Sequence, residues 1–255
     1  MKTINKILLA IIGIVLINAC DEPVDDTPPL TPNGTALLEK IKNNREAKTQ
    51  NFSVLLTTAG ASIEGAEGTV VNFNYNSVED GSGNSMVGET IDVEMIEIYS
   101  KSDMVLLNKS TMGVLLLGGD HTALISGGEV YLKAYKDGEE LYVTDNKIIV
   151  KYPVDNMGGY DSEMSLFEDF CCDNDCDGVF ACPDDDWEQA DSAVLALDNA
   201  AGVGYYSGVV SSFGWTNVDK FATYAAPKTL LKARAPEEFN ATNCAVYISF
   251  DGEPN

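Results

Sequence analysis

Residues 129–143 read EVYLKAYKDGEELYV, and this stretch decides the fold class. Two runs rich in Val, Tyr and Leu stand on either side of the turn Lys136-Asp137-Gly138-Glu139. An Asp-Gly pair between such runs is typical of a two-residue β-hairpin loop, because both loop positions need a positive φ. The stretch therefore predicts two antiparallel strands joined by a tight turn.

Runs of the same kind occur along most of the chain. Short segments rich in Val, Ile, Tyr and Leu, separated by Gly, Asn, Asp or Ser, are residues 52–58, 69–75, 91–99, 104–107, 129–135 and 147–152. Pro153 and residues 155–159 interrupt this series. It resumes at residues 192–197, 202–210, 218–225, 229–233 and 244–250. Many short strands at this spacing are typical of a β-sandwich.

We therefore expect an all-β fold of one or two β-sandwich units, the first over residues 35–157 and the second over residues 158–255. Residues 192–197 are ambiguous, because Trp187, Ala190, Val194 and Leu197 also lie at helical spacing.

A short helix is predicted before the first strand. Thr35 can cap its N-terminus, and Lys48 ends it. Leu37, Leu38 and Ile41 then lie on one side of the helix, where they can pack against the sheet.

The first 19 residues have the features of a signal peptide. Lys2 and Lys6 precede the apolar run 7–17, and residues 18–20 read NAC. As a helix the apolar run is about 16 Å long, well short of the roughly 30 Å hydrocarbon core of a bilayer. Residues 17–20, INAC, resemble the lipobox of bacterial lipoproteins. We expect cleavage before Cys20 and acylation of its thiol. An ordinary signal peptide with a coincidental cysteine is the alternative.

Residues 20–34 are predicted to be a lipidated cysteine followed by a flexible tether. Residues 21–34 read DEPVDDTPPLTPNG, a composition rich in proline and carboxylates that stays extended. Acidic residues directly after the lipidated cysteine resemble the export signal of Bacteroidota lipoproteins. That resemblance implies an outer-membrane protein at the cell surface, with the periplasmic leaflet as the alternative.

The charge of the chain excludes one class of partner. It carries 40 acidic against 16 basic residues, and loss of Lys2 and Lys6 with the signal peptide makes the balance more acidic. Nucleic acid is bound by clustered Lys and Arg, which the sequence lacks. The acyl chains on Cys20 are therefore the expected membrane contact, and cations are favoured as ligands.

The chain resembles a module of surface lipoproteins in Bacteroidota, related to ZU5-like and carboxypeptidase-regulatory-like β-sandwiches. The matching residues are 93–99 (VEMIEIY), 102–108 (SDMVLLN), 111–113 (TMG), 126–131 (SGGEVY), 137–138 (DG), 164–167 (MSLF), Trp187, 213–221 (FGWTNVDKF) and 243–247 (NCAVY). The resemblance covers about residues 52–250. It implies a fold and a location rather than a reaction.

The chain departs from that module at two places. Members often carry Cys where this chain has Val218, which leaves Cys244 without an implied partner. They also have a glycine-rich turn where this chain has residues 171–186, CCDNDCDGVFACPDDD.

Residues 171–186 contain the one segment with the chemistry of a metal site. Residues 173–178 match D-x-D-x-D-G, the opening of EF-hand-type calcium loops, in which alternate carboxylates point oxygens to one side and a Gly permits the turn. The predicted calcium ligands are Asp173, Asp175, Asp177, the Val179 carbonyl and Asp184. A solvated acidic turn that binds no ion is the alternative.

Four cysteines bracket the same segment: Cys171, Cys172, Cys176 and Cys182. In an oxidising compartment they predict two disulfides. Either Cys171–Cys176 with Cys172–Cys182 or Cys171–Cys182 with Cys172–Cys176 satisfies the spacing. A zinc site of four thiolates is a weaker alternative, since paired C-x2-C motifs are missing. Cys244 lies in a strand-like run, where a buried hydrophobic role is expected.

Enzymatic motifs are absent from the sequence. The single histidine, His121, follows Gly118-Gly119-Asp120 in a predicted turn, and no nucleophile elbow, P-loop or dinucleotide fingerprint occurs. Six aromatic residues form a core or a sugar-stacking platform: Tyr205, Tyr206, Phe213, Trp215, Phe221 and Tyr224. Residues 191–193, DSA, resemble a Bacteroidota O-glycosylation site at Ser192.

Together these features predict a non-enzymatic surface lipoprotein with a structural calcium loop, acting in adhesion or in assembly with envelope proteins. A glycan-binding module for polysaccharide uptake is the alternative. A carboxylate-dependent hydrolase is a third hypothesis.

Overall fold

The computed structural model describes residues 31–109, 111–114, 121–169, 187–190, 196–198, 204–222, 232–240 and 243–247. Residues 33–255 belong to one compact unit. Within the described ranges there are two α-helices, α1 (Gly34–Lys48) and α2 (Lys101–Leu106), and a 3-10 helix (Val154–Met157). The strands are β1 (Gln50–Leu55), β2 (Ala61–Glu64), β3 (Val70–Phe73), β4 (Val78–Glu79), β5 (Thr90–Ile98), β6 (Met112–Val114), β7 (His121–Lys136), β8 (Glu139–Glu140), β9 (Tyr142–Val143), β10 (Ile148–Pro153), β11 (Ser165–Asp169), β12 (Trp187–Gln189), β13 (Ala196–Asp198), β14 (Tyr205–Val210) and β15 (Gly214–Phe221).

The predicted hairpin is confirmed. β7 and β8 pair antiparallel, with Lys136 opposite Glu139. The two loop residues Asp137 and Gly138 have φ values of 51° and 85°, as the Asp-Gly sequence requires.

The all-β prediction is also confirmed, and the strands form two larger sheets and a small one. The first sheet has the order β1-β5-β7-β15-β11-β12-β6, with β8 paired to β7. The second has the order β13-β14-β10-β3-β2, and β4 pairs with β9 separately. Apolar residues of the two larger sheets share one core, which includes Val93 and Leu132 of the first and Phe73 and Val150 of the second. The arrangement is therefore sandwich-like.

The first sheet closes on itself. β6 pairs in parallel with β12 and antiparallel with the first residues of β7, while the rest of β7 pairs with β5 on that same edge. β7, β15, β11, β12 and β6 therefore form a closed ring of five strands. A second core includes apolar residues of this ring, among them Leu124, Phe167, Trp187 and Trp215.

The helix predicted before the first strand is present, but its N-cap is not Thr35. Asn33 caps α1, since its side chain accepts a hydrogen bond from the Ala36 amide at 3.0 Å. Ile41 is buried, and Leu37 and Leu38 are half-buried, in agreement with the predicted inner face.

The strand predicted at residues 104–107 is wrong. These residues belong to α2 and its C-terminal cap. The Ser100 side chain accepts a hydrogen bond from the Asp103 amide, which satisfies a free N–H at the start of the helix. The run of Met, Val and Leu is compatible with either structure, and the cap favours the helix.

Residues 35–157 and 158–255 contribute strands to the same two sheets. β10 pairs with β14 in the second sheet, and β7 pairs with β15 in the first. The interruption after Pro153 is the 3-10 helix, which ends at Gly158 with φ of 75°. The predicted boundary at residue 157 is therefore a turn within the fold.

Two of the strands predicted in the C-terminal region are not found at their described residues. Residues 232–233 and 244–247 are not in strands, although both fall in predicted strands. The ambiguous run 192–197 is described from residue 196, where β13 begins.

Candidate functional site

The Cys- and Asp-rich residues 170–186 connect two neighbouring antiparallel strands. β11 ends at Asp169 and β12 begins at Trp187, and these two residues are direct partners in the ladder. The predicted ligands Asp173, Asp175, Asp177, Val179 and Asp184, and the cysteines Cys171, Cys172, Cys176 and Cys182, lie outside the described residues. The structure thus fixes the base of this connection: its two ends leave the sheet side by side.

The residue that follows the connection is firmly held. The Trp187 side chain is 2% exposed and belongs to the second core. β12 is paired on both sides, with β11 and with β6, so the strand has no free edge. The base of residues 170–186 is therefore a paired strand anchored by a buried indole.

A buried lysine lies against the two tryptophans of the ring. The Lys109 ammonium is 5.5 Å from the Trp187 ring centroid and 4.8 Å from that of Trp215. Both distances are within the range of cation–π attraction. Lys109 is only 6% exposed, so water screens this attraction weakly.

Helix α1 contributes a second cation. The Arg45 guanidinium lies 5.7 Å from the Trp215 ring centroid, and its Nε donates to the Leu107 carbonyl at 3.0 Å. Asn44 of the same helix donates to the Leu106 carbonyl at 2.9 Å. The carbonyls at the end of α2 are thus satisfied by side chains of α1, and the segment that leads to Lys109 is fixed.

A row of buried polar side chains crosses β7 and β15 beside these tryptophans. Its members, all 0% exposed, are Ser126, Glu129, Asn217 and Asp219. Glu129 is the direct partner of Asn217 in the ladder, and Ser126 is the partner of Asp219. Trp215, Asn217, Asp219 and Phe221 alternate along β15, so the row lies on the face that carries the second core.

Hydrogen bonds organise this row. The Ser126 hydroxyl donates to Asn217 Oδ1 at 3.2 Å, and Asn217 Nδ2 donates to Asp219 Oδ2 at 2.6 Å. The Gly127 amide donates to Asp219 Oδ1 at 3.3 Å. Burial and the neighbouring Glu129 raise the pKa of the Asp219 carboxyl well above its usual range, which favours its protonated form.

A bulge in β7 creates the row. Ser126 and Glu129 are separated by two residues, Gly127 and Gly128. Their partners on β15, Asp219 and Asn217, are separated by one residue. Gly128 has φ of 143°, and a Cβ there would lie 2.3 Å from the Tyr99 ring. The two glycines therefore permit the register shift that brings Ser126 and Glu129 to the same face.

A second buried carboxylate is held by a loop. Glu97 of β5 is 0% exposed and accepts hydrogen bonds from the Glu67 and Thr69 amides, both at 2.9 Å, and from the Gln50 side chain at 2.8 Å. A Cβ at Gly65 would lie 2.4 Å from the carboxylate. The loop closes around Glu97 because residue 65 has no side chain.

Of the two interpretations of the aromatic residues, a core or a sugar-stacking platform, the described residues favour the core. Tyr206 belongs to the first core and Trp215 to the second, and they are 2% and 3% exposed. Phe213 packs against the first core and Phe221 against the second. These four residues are thus divided between two interiors. Tyr205 is half-buried and belongs to neither core, and Tyr224 lies outside the described residues.

The other predicted sites have different outcomes. His121 is the first residue of β7 rather than part of a turn. Cys244 is a free, half-buried thiol outside any strand, so the expected buried role is not realised. Cys20 and Ser192 lie outside the described residues.

The sequence did not indicate that four buried polar residues form part of a candidate site: Lys109, Glu129, Asn217 and Asp219. Alternating polar residues in a strand predict a solvated face, and here that face is enclosed by the ring. The Gly127-Gly128 pair inside a strand pattern was the available signal, since glycine there often marks a bulge.

The described residues show neither a cluster of metal-ligating side chains nor a membrane-spanning helix. They contain no group of three or more His, Cys, Asp or Glu side chains placed to hold a metal ion. None of their helices is long and apolar enough to cross a membrane.

Comparison with protein-family models, curated proteins and solved structures finds no significant match.

Proposed function

We propose that this chain is a non-enzymatic lipoprotein of the outer membrane. Acyl chains on Cys20 anchor it, residues 21–34 hold the folded unit away from the lipid, and residues 170–186 bind a structural calcium ion. It acts at the cell surface in adhesion or in assembly with other envelope proteins.

The pairing of Asp169 with Trp187 carries the calcium proposal. A loop that gathers oxygens from Asp173 to Asp184 around one ion must bring its two ends together. The ladder between β11 and β12 already does this, so closing the loop costs less conformational entropy than in a free chain.

The environment of Trp187 gives further support. Its burial, its contact with Lys109 and the pairing of β12 on both sides fix the strand that follows the loop. Because this strand is already fixed, calcium would order residues 170–186 and leave the sheet unchanged. This is expected for an ion that rigidifies a binding surface.

The buried carboxylates favour this function over a hydrolase. Glu129 and Asp219 are two neighbouring carboxyl groups, as a glycosidase needs, but both are 0% exposed. A glycosidic bond must lie between two catalytic carboxyl groups. The described structure leaves no such space at this pair.

Isothermal titration of the full-length, oxidised protein with calcium tests the proposed site. We expect a single binding event with a dissociation constant of about 10⁻⁴ to 10⁻³ M, the range of extracellular calcium modules. Asp175→Asn should remove it. Asp145→Asn is the matched control, because Asp145 is exposed in a turn of the folded unit and should leave binding unchanged. Equal binding by both variants would contradict the ligand assignment.

Two experiments test the biological role. Antibody labelling of intact cells should detect the protein at the surface, and its absence there would favour the periplasmic leaflet. A glycan array separates adhesion or assembly from the alternative, since saturable binding to a defined glycan would favour a module for polysaccharide uptake.

A further inference from the structure

An amine, a carboxamide and two carboxyl groups are buried on the face of the strand ring that carries the second core. Lys109 is 6% exposed, and Asn217, Glu129 and Asp219 are 0% exposed. Groups of this kind are rarely buried unless each is paired or used. Their combination goes beyond the proposed surface role, because an amine and a carboxamide are the two reactants of amide exchange.

The amine contacts the residue that precedes the carboxamide on the same face of β15. The Lys109 ammonium is 4.8 Å from the Trp215 ring centroid. Asn217 follows Trp215 by two residues on the same face of β15, about 7 Å along the strand. The four-carbon stem of a lysine is flexible, and a change of its rotamer can move Nζ along the strand towards Asn217.

The carboxamide is held in an arrangement suited to acyl transfer. The Ser126 hydroxyl donates to Asn217 Oδ1 at 3.2 Å, where negative charge would develop when a nucleophile attacks Cγ. Asn217 Nδ2, the leaving nitrogen, is 2.6 Å from Asp219 Oδ2. Burial favours the protonated form of Asp219, which can therefore supply a proton at that nitrogen.

The opposing strand supplies a base on the same face. Glu129 is the ladder partner of Asn217, and the Cβ atoms of directly opposed residues are about 5 Å apart. Tyr131, the next residue of β7 on that face, has its ring centroid 5.1 Å from that of Trp215. Glu129 therefore lies directly across the ladder from the carboxamide and next to Tyr131, the residue opposite the tryptophan that the amine contacts.

We propose that Lys109 and Asn217 are joined by an intramolecular isopeptide bond that the folded chain forms itself. Glu129 takes one proton from the Lys109 ammonium, and the neutral Nζ attacks Asn217 Cγ. The Nζ–Cγ bond forms, the Cγ–Nδ2 bond breaks, and one molecule of ammonia leaves. Asp219 gives a proton to the leaving nitrogen and receives the second proton released from Nζ. No atom changes oxidation state, so no oxidant or cofactor is required.

The bond would tie the segment after α2 to β15 across the second core. That tie would fix the ring whose strand β12 carries residues 170–186. A covalent link of this kind suits a protein that bears mechanical load outside the cell. ATP-dependent chaperones do not refold proteins there.

Peptide mass spectrometry of the full-length protein tests the bond. Trypsin cleaves after an unmodified Lys109 and releases residues 102–109, whereas an acylated Lys109 resists cleavage. We expect peptide 102–109 to be missing from the denatured, reduced and digested protein. A branched species should replace it, joining residues 102–133 to residues 152–220 with the loss of one ammonia. Quantitative recovery of peptide 102–109 from the wild-type protein would overturn the proposal without the need for any variant.

Four variants and one control assign the bond. Lys109→Arg and Asn217→Ala should abolish the branched species, and Lys133→Arg, a control on β7, should retain it. Asn217→Asp should give the same branched mass, because water leaves in place of ammonia. Glu129→Gln should slow bond formation at least about 100-fold, as expected for loss of a general base. A branched species that persists in Lys109→Arg would also contradict the assignment.

Discussion

Asp169 and Trp187 face each other in the ladder between β11 and β12, so residues 170–186 begin and end at neighbouring positions. This relationship connects the acidic, cysteine-rich segment to the folded unit.

The anchor is tested at Cys20. Because residues 17–20 resemble a lipobox, membrane-extracted protein should begin at Cys20 and carry acyl chains. Intact-mass analysis measures both features, and Cys20→Ser should yield protein without attached lipid. A soluble mature protein with an unmodified Cys20 would rule out the anchor.

Asp219 should make the protein less stable as the pH rises. Its pKa is raised in the folded state, first by burial and then by Glu129, so the folded state binds more protons than the unfolded state. The free energy of unfolding therefore falls with increasing pH between the unfolded pKa of about 3.9 and the higher folded pKa.

Asp219→Asn should weaken this fall in the free energy of unfolding with increasing pH, because the variant has no carboxyl group to titrate at position 219. Urea unfolding at pH 5 and pH 7.5 measures the difference. Some dependence should remain, since burial also raises the pKa of Glu168. Asp145→Asn serves as the exposed control. The same slope in wild type and Asp219→Asn would show that Asp219 ionises normally.

Gly65→Ala should destabilise the fold by about 1–3 kcal/mol, the usual cost of an overpacked site. Its Cβ would lie 2.4 Å from a Glu97 carboxylate oxygen and disturb the loop that donates to Glu97. Gly81→Ala is the matched control, because its nearest neighbour, a Tyr142 ring carbon, is at 3.7 Å. Chemical denaturation compares the two, and equal effects would argue against a tight fit around Glu97.

A modification is expected at Ser192. The sequence DSA at residues 191–193 resembles an O-glycosylation site of exported Bacteroidota proteins. A glycopeptide search of native material should find a glycan on Ser192 and none after Ser192→Ala. If every native sample contains only the unmodified peptide, the predicted glycosylation of Ser192 is wrong.

The parts of the fold set by local chemistry were predictable. Asp137 and Gly138 define a turn within four residues, and the helix before the first strand has an apolar side at Leu37, Leu38 and Ile41. The error at residues 104–107 has a local cause as well. Ser100 and Asp103 form an N-cap, and this signal decides between helix and strand for an apolar run of ambiguous period.

The closed ring was not predictable, because it depends on contacts far apart in sequence. In the described residues β6 has three members, of which all pair with β7 and two pair with β12, and such a short strand leaves little pattern. Closure encloses a face of β15 that alternation assigns to solvent, since Asn217 and Asp219 are polar. The buried row was missed for that reason.

The calcium site is tested most directly by the thermal melting of the oxidised protein with calcium and with a chelator. At about ten times the dissociation constant, calcium should stabilise the folded protein by about 1.4 kcal/mol, a shift of a few degrees. Asp175→Ala and Asp177→Ala should each remove the shift, Asp145→Ala should retain it, and magnesium should substitute poorly because its small octahedral shell suits this loop less well. Identical melting of the wild-type protein with calcium and with the chelator, at millimolar calcium, would contradict the proposed site.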